Sequence, residues 1–127
     1  ENTAAYLNFD MIGRNDSGLV EISGMTTSPL FGTVLEKAND SIALQIEERP
    51  DISRSDHVPF FDHSIPVLGF FTGFHDDYHK PTDTVEKCSI SGIAQICRLS
   101  YRVVFDLASR NTKPEFSNPA SQENDKK

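Results

Sequence analysis

Asp10 closes the apolar run 4–9 within Asn8-Phe9-Asp10-Met11-Ile12-Gly13-Arg14. His79 lies far along the chain in Tyr78-His79-Lys80-Pro81-Thr82-Asp83-Thr84. One carboxylate and one imidazole are the mixed oxygen and nitrogen donors that suit zinc. Taken singly, each has a plainer role. An Asp after a strand starts a turn, and one His carries little information by itself. A zinc site normally takes three protein ligands plus water, so these two side chains do not hold a metal unaided. They gain meaning only if the fold brings them to one place.

Other polar groups are weaker candidates. Ser55 and Asp56 precede a short apolar stretch and suit the cap of a helical turn, with His57 beside them. His75 and His79 have a spacing that would aim two imidazoles at one metal on a helix. Gly73 and Pro81 argue for a loop instead. His63, just before Ile65-Pro66, reads as a surface residue.

The elements that must position these groups follow from periodicity. Strands are expected over 4–9, 19–22, 42–46 and 65–71. Leu30, Phe31, Val34, Leu35 and Ala38 recur at helical spacing after Pro29, which suits a first helical position. Residues 47–54 form a charged loop, and 55–61 a short helical turn. A long helix is expected from Ser89 or Ser91 to Ala108, with Ile93, Ile96, Cys97, Val103, Val104 and Leu107 on its apolar side. The loop 72–84 is long for a plain connection, which marks it as functional. The alternation predicts an α/β fold: a three-layer αβα sandwich with a mostly parallel mixed sheet. Both 4–9 and 65–71 read as central strands. A four-stranded sheet leaves them short of neighbours, so the fold is expected to be incomplete. Open sheets of this kind carry their sites at the carboxyl ends of strands, where Asp10 and the 72–84 loop both fall.

Composition sets bounds. The 127 residues carry a formal charge of −7, with 37% apolar residues. In 111–127 the three lysines cancel the three acids, so the acidity lies in the body. That argues against nucleic-acid binding, which needs clustered Lys and Arg. No apolar run reaches the length of a membrane span. If Cys88 and Cys97 sit on one helix they stand about 13 Å apart along its axis, too far for a disulfide, so free thiols are expected. Residues 111–127 lack periodicity and read as a disordered polar tail.

Four stretches, in this order, resemble the second half of a co-catalytic di-zinc aminopeptidase, the family of bacterial leucyl aminopeptidases, glutamate carboxypeptidases and glutaminyl cyclases. They are residues 8–14, Ser55-Asp56-His57-Val58-Pro59-Phe60, Ile65-Pro66-Val67-Leu68 and Asp77 through Thr84. The resemblance covers about residues 4–108. It implies a zinc peptidase fold, with 1–110 forming the C-terminal half of the catalytic domain. It also implies two Zn2+ ions, Asp10 on one and His79 on the other, and Tyr78 as hydrogen-bond donor to the scissile carbonyl oxygen. Asp83 has two open roles: partner to the second ring nitrogen of His79, or cap of the turn Asp83-Thr84-Val85-Glu86. Asp56 and His57 are expected to border the pocket.

The implied activity is hydrolysis of N-terminal peptide bonds by a two-metal-activated water, on peptides with a free amino terminus. The other ligands and the general base would come from the N-terminal half of the same domain. The Glu47-Glu48 pair does not stand in for the family's Glu-Glu, because it follows the Asn-x-Asp-Met motif rather than preceding it. These residues alone are therefore expected to be inactive and to bind zinc weakly. The resemblance also implies an extracytoplasmic location. A non-catalytic binding or receptor-like module of the same fold, and a glutaminyl cyclase, are the alternatives.

Overall fold

The computed structural model describes residues 2–119. Four strands form one mixed sheet in the order β1 (Tyr6–Phe9), β4 (Val67–Phe71), β2 (Leu19–Ser23), β3 (Gln45–Arg49). The β1–β4 and β2–β3 pairs are parallel, and β2–β4 is antiparallel. The helices are α1 (Phe31–Asn39), the short α2 (Val58–Asp62) and α3 (Ile90–Ala108). The mostly parallel mixed sheet expected from the alternation is present.

Side-chain alternation sorts the two faces of the sheet. Val20, Ile22, Leu68 and Phe70 bury against Phe31, Val34 and Leu35 of α1 and Ile96, Leu99 and Val103 of α3. The opposite face carries Asn8, Gly69 and Ser23, which share one row across β1, β4 and β2. The segment leading into α2 covers that row. Three layers result: α1 and α3, the sheet, and α2 with its preceding loop.

Several elements depart from the sequence reading. β4 is central as expected, and buried from Val67 to Phe70. β1 instead forms the edge of the sheet. The third strand begins at Gln45, three residues later than its apolar run suggests. The Asn39 side chain explains the shift: it donates to Leu44 O at 2.8 Å and accepts from Leu44 N at 2.9 Å. That clasp holds 42–44 in a turn, with Ala43 at φ 58°. Glu47, Glu48 and Arg49 therefore belong to β3 and not to a loop. Helix α3 is capped by Ser89, whose Oγ accepts from Gly92 N. Leu99 faces its core, while Cys97 and Val104 are exposed.

The start of the expected polar tail is packed. Phe116 lies tilted on Phe61 at 5.6 Å, and Ser117 N donates to Thr27 O. An aromatic ring and the buried Pro114 give this stretch an apolar anchor that its polar composition hides. The rest of that tail, 120–127, lies outside the described residues. Both cysteines are free. No helix among the described residues is long and apolar enough to cross a membrane.

Candidate active site

Asp10 leaves the end of β1, its backbone N–H still bonded to Phe70 O at 3.1 Å. Met11, the next residue, turns the chain with φ 56°. Asn8 and Asp10, two apart on a strand, share the sheet face opposite the main core. Ser55 ties them together: Asn8 Nδ2 donates to Ser55 Oγ at 2.8 Å, and Ser55 Oγ donates to Asp10 Oδ2 at 2.8 Å. The serine hydroxyl thus fixes one carboxylate oxygen and leaves the other unclaimed. Ser55 itself sits at φ 81°. A non-glycine residue there carries strain of about 1–3 kcal/mol, tolerated where the surroundings demand it. Neither Ser55 nor Asp56 caps α2, which begins without a side-chain cap.

His79 stands at the tip of the 72–84 loop with φ 56°. Its ring lies against Tyr78 at 4.0 Å. Tyr78 in turn meets the edge of Phe74, and Phe74 that of Phe71, each at 5.1 Å. This aromatic relay runs from the end of β4 to the loop tip. Asp10, Tyr78 and His79 all line one hollow of about 480 Å³, with Met11, Arg14 and Cys88 among its walls. Asp10 and Tyr78 also border a second hollow of about 200 Å³, whose walls include Arg49, Phe71 and His57. Arg49 stacks over the Phe71 ring at 4.3 Å.

His57 forms the floor of the smaller hollow and is only 3% exposed. Neither of its ring nitrogens has a hydrogen-bond partner. The Ile52 backbone favours the charged ring, but less than burial disfavours it. Burial dominates and holds the imidazole below its usual pKa, so the ring is neutral near pH 7. Space for it comes from Gly69: a Cβ there would stand 2.5 Å from Ser23 Oγ and 3.0 Å from His57 Cε1. His57 thus borders the pocket. Asp56 is exposed and lines neither hollow.

Asp83 takes neither of its expected roles. Its carboxylate accepts from Arg14 Nη2 at 2.7 Å, and no side chain caps the turn at 85–87. Arg14 Nη2 also reaches Asp77 Oδ2 at 3.1 Å, and Lys87 Nζ reaches Asp77 Oδ1 at 2.6 Å. Hydrogen bonds from Lys87 and Thr82, then from Arg14, hold the Asp77 carboxyl well below the usual carboxylate range. His75 approaches Asp83 only to 3.9 Å and lines the larger hollow.

Sequence reasoning gave Ser55 only a capping role and Arg14 none, yet Ser55 bonds Asp10 and Arg14 bonds Asp83. The Asn-x-Asp spacing was a usable signal for Ser55, since it puts two polar side chains on one strand face that needs a partner. The partners of Arg14 come from distant loop positions and have no such signal.

The donor set fits zinc in kind. Among the described residues, Ser55 braces one Asp10 oxygen and no hydrogen bond occupies the other or the His79 ring. It does not fit in number: no cluster of three or more His, Cys, Asp or Glu able to hold a metal occurs among the described residues.

Comparison with known proteins places this chain in a family. Residues 1–104 match the family described as Peptidase family M28. The chain belongs to that family. It is 38% identical over 85 residues to leupeptin-inactivating enzyme 1 of Streptomyces exfoliatus, covering 66% of this chain and 18% of that protein. Among solved structures it is similar to the LapA aminopeptidase of Legionella pneumophila, with 20% identity, a TM-score of 0.69, and coverage of 84% of this chain and 32% of that one. It is also similar to BSAP, a zinc aminopeptidase from Bacillus subtilis, with 21% identity, a TM-score of 0.69, and coverage of 90% and 31%. The chain therefore spans about a fifth to a third of the proteins it matches, and it shares their αβα fold.

Proposed function

We propose that this chain forms part of the active site of a zinc-dependent aminopeptidase. One observation carries the reading: Asp10 and His79 line the same hollow, with Tyr78 between that hollow and its smaller neighbour. Family membership and the zinc aminopeptidase fold support it.

In this reading Asp10 and His79 each hold one of two zinc ions. When bound, such ions supply an activated water and a polarised carbonyl. Ser55 orients Asp10 by donating to one oxygen, which would leave the other for the metal. The Tyr78 phenol donates a hydrogen bond to the carbonyl oxygen of the substrate as negative charge develops there. The remaining ligands and the general base belong to the rest of the catalytic domain, so these 127 residues alone bind zinc weakly and do not turn over. The substrate class is peptides with a free amino terminus, and the location is extracytoplasmic.

The test uses the complete enzyme. Asp10→Asn and His79→Ala are each expected to lower zinc content and peptidase activity together. Full zinc loading and normal activity in the His79→Ala protein would discard the ligand assignment.

A further inference from the structure

We infer that Arg14 is a positioning residue that clamps the Tyr78-His79 loop to the segment bearing Asp10; the inference rests on the metallopeptidase reading above. Arg14 is mounted four residues beyond Asp10 on a well-anchored turn. Gly13 O accepts from Ser89 N at 2.8 Å, and Met11 O accepts from Thr72 Oγ1 at 2.6 Å. From this base one guanidinium nitrogen reaches Asp77 and Asp83 together. Asp77 immediately precedes Tyr78, and Asp83 lies four residues past His79. The two carboxylates therefore bracket the segment that carries the proposed donor and ligand.

Within that bracket little else fixes the chain. Residues 78–87 are all exposed. The backbone bonds there are local turns, Lys80 N to Asp77 O at 2.9 Å and Asp83 N to Lys80 O at 3.0 Å. His79 also holds a left-handed φ that an unrestrained loop would leave. The Tyr78 contact with Phe74 is one edge-on aromatic pair, and Phe74 is itself 61% exposed. The ion pairs are therefore the chief restraint on where His79 stands relative to Asp10. Lys87 and Thr82 also bond to Asp77, but among the described residues Arg14 is the one side chain that bonds both Asp77 and Asp83.

Magnitudes separate this role from a merely structural one. The Arg14–Asp83 pair is exposed and the Arg14–Asp77 pair is only part-buried, where Lys87 remains to hold Asp77, so their loss takes little from global stability. A displacement of about 1 Å in a reacting group costs about 100-fold in rate. Loss of Arg14 should then be felt in turnover much more than in melting temperature. It also leaves Asp77 and Asp83 without the cation between them, so the bracket opens. Lysine at this position keeps the charge but carries it on a flexible stem as a strongly hydrated point charge, so it holds the two carboxylates less firmly.

The experiment compares wild type, Arg14→Ala, Arg14→Lys, Asp83→Asn and His79→Ala in the complete zinc-loaded enzyme. It records kcat and KM on an aminoacyl p-nitroanilide, zinc release to a chelator, and the melting temperature. Arg14→Ala is expected to lower kcat by about 10- to 100-fold and to speed zinc release, with KM and melting temperature little changed. Arg14→Lys should fall between. Asp83→Asn, which keeps Arg14, should show the same kcat loss in kind and carries the test if Arg14→Ala does not fold. A kcat per bound zinc within about twofold of wild type in both Arg14→Ala and Asp83→Asn overturns the clamp. So does a loss that merely tracks a lower melting temperature. If His79→Ala keeps full zinc and activity, the metal reading itself has failed; if His79→Ala loses both while Arg14→Ala loses neither, only the clamp has failed.

Discussion

Ser55 Oγ donates to Asp10 Oδ2 at 2.8 Å while accepting from Asn8 Nδ2 at the same distance. A residue from the loop before α2 thus reads both polar side chains on the site face of β1. The arrangement converts an exposed strand-end carboxylate into one with a fixed direction. Its cost is a serine held at φ 81°.

The first prediction follows from that brace. Ser55→Ala in the complete enzyme should weaken zinc binding about 10- to 100-fold, the usual effect of removing an outer-shell partner. It also leaves the nearly buried Asn8 amide short of a partner, at about 1–3 kcal/mol. Ser55→Gly loses the same brace but relaxes the backbone strain. Zinc affinity should therefore fall equally in both variants, while the glycine protein unfolds at higher denaturant than the alanine one. Unaltered zinc affinity in both would show that the serine does not act through Asp10.

A second prediction concerns pH. Burial lowers the pKa of His57 below its ordinary 6.5. The unfolded chain then binds more protons than the folded one as pH drops below that value. The stability linked to neutral His57 is complete above about pH 6.5 and is lost progressively as pH falls toward the lower folded value. Urea unfolding at several pH values between neutrality and about 5 should show this decline. His57→Asn, less stable at neutrality, should decline less over the same window. Parallel curves for the two proteins would mean that His57 is not the titrating group.

How much of this was legible beforehand depends on the range of the forces involved. Local signals were faithful: Ser89 capping α3, the helical spacing of α1, and the uniformly apolar run that makes β4 central. Asp10 and His79 stood out as candidates by their places at a strand end and in a long loop, and the family resemblance supplied their expected roles. Long-range side-chain choices were not legible. Asn39 reaching over to Leu44 delays β3 by three residues, and no periodicity encodes that. Asp83 had a capping-box sequence and an imidazole nearby, yet an arginine from the β1–β2 turn won its carboxylate, since a charge-assisted bond outweighs either rival. Leu99 escaped the apolar stripe of α3, although it is fully buried.

Gly69 gives a third prediction. It faces Ser23 and the His57 ring so closely that a methyl group has no room. Gly69→Ala should destabilise the fold by about 1–3 kcal/mol through overpacking. Combining it with Ser23→Gly removes one of the two clashes, so the double variant should be more stable than the sum of single effects predicts. Thermal unfolding of the four proteins in this cycle measures the coupling. Strict additivity would show that the Ser23 contact is not the one that matters.

The last prediction separates ligand from look-alike. Glu47 and Glu48 have the paired-carboxylate form a two-metal hydrolase uses, but they lie on β3, at the edge of the sheet. Both are exposed, and neither lines either hollow. In the parallel register Glu47 sits beside Glu21 and Glu48 beside Ile22, away from Asp10 on β1 at the opposite edge. Glu47→Gln and Glu48→Gln should each change stability by no more than about 0.5 kcal/mol, as surface substitutions do. Zinc content and kcat should match wild type in both. A large loss of kcat in either, with the fold intact, would put a catalytic carboxylate on β3 and overturn this reading.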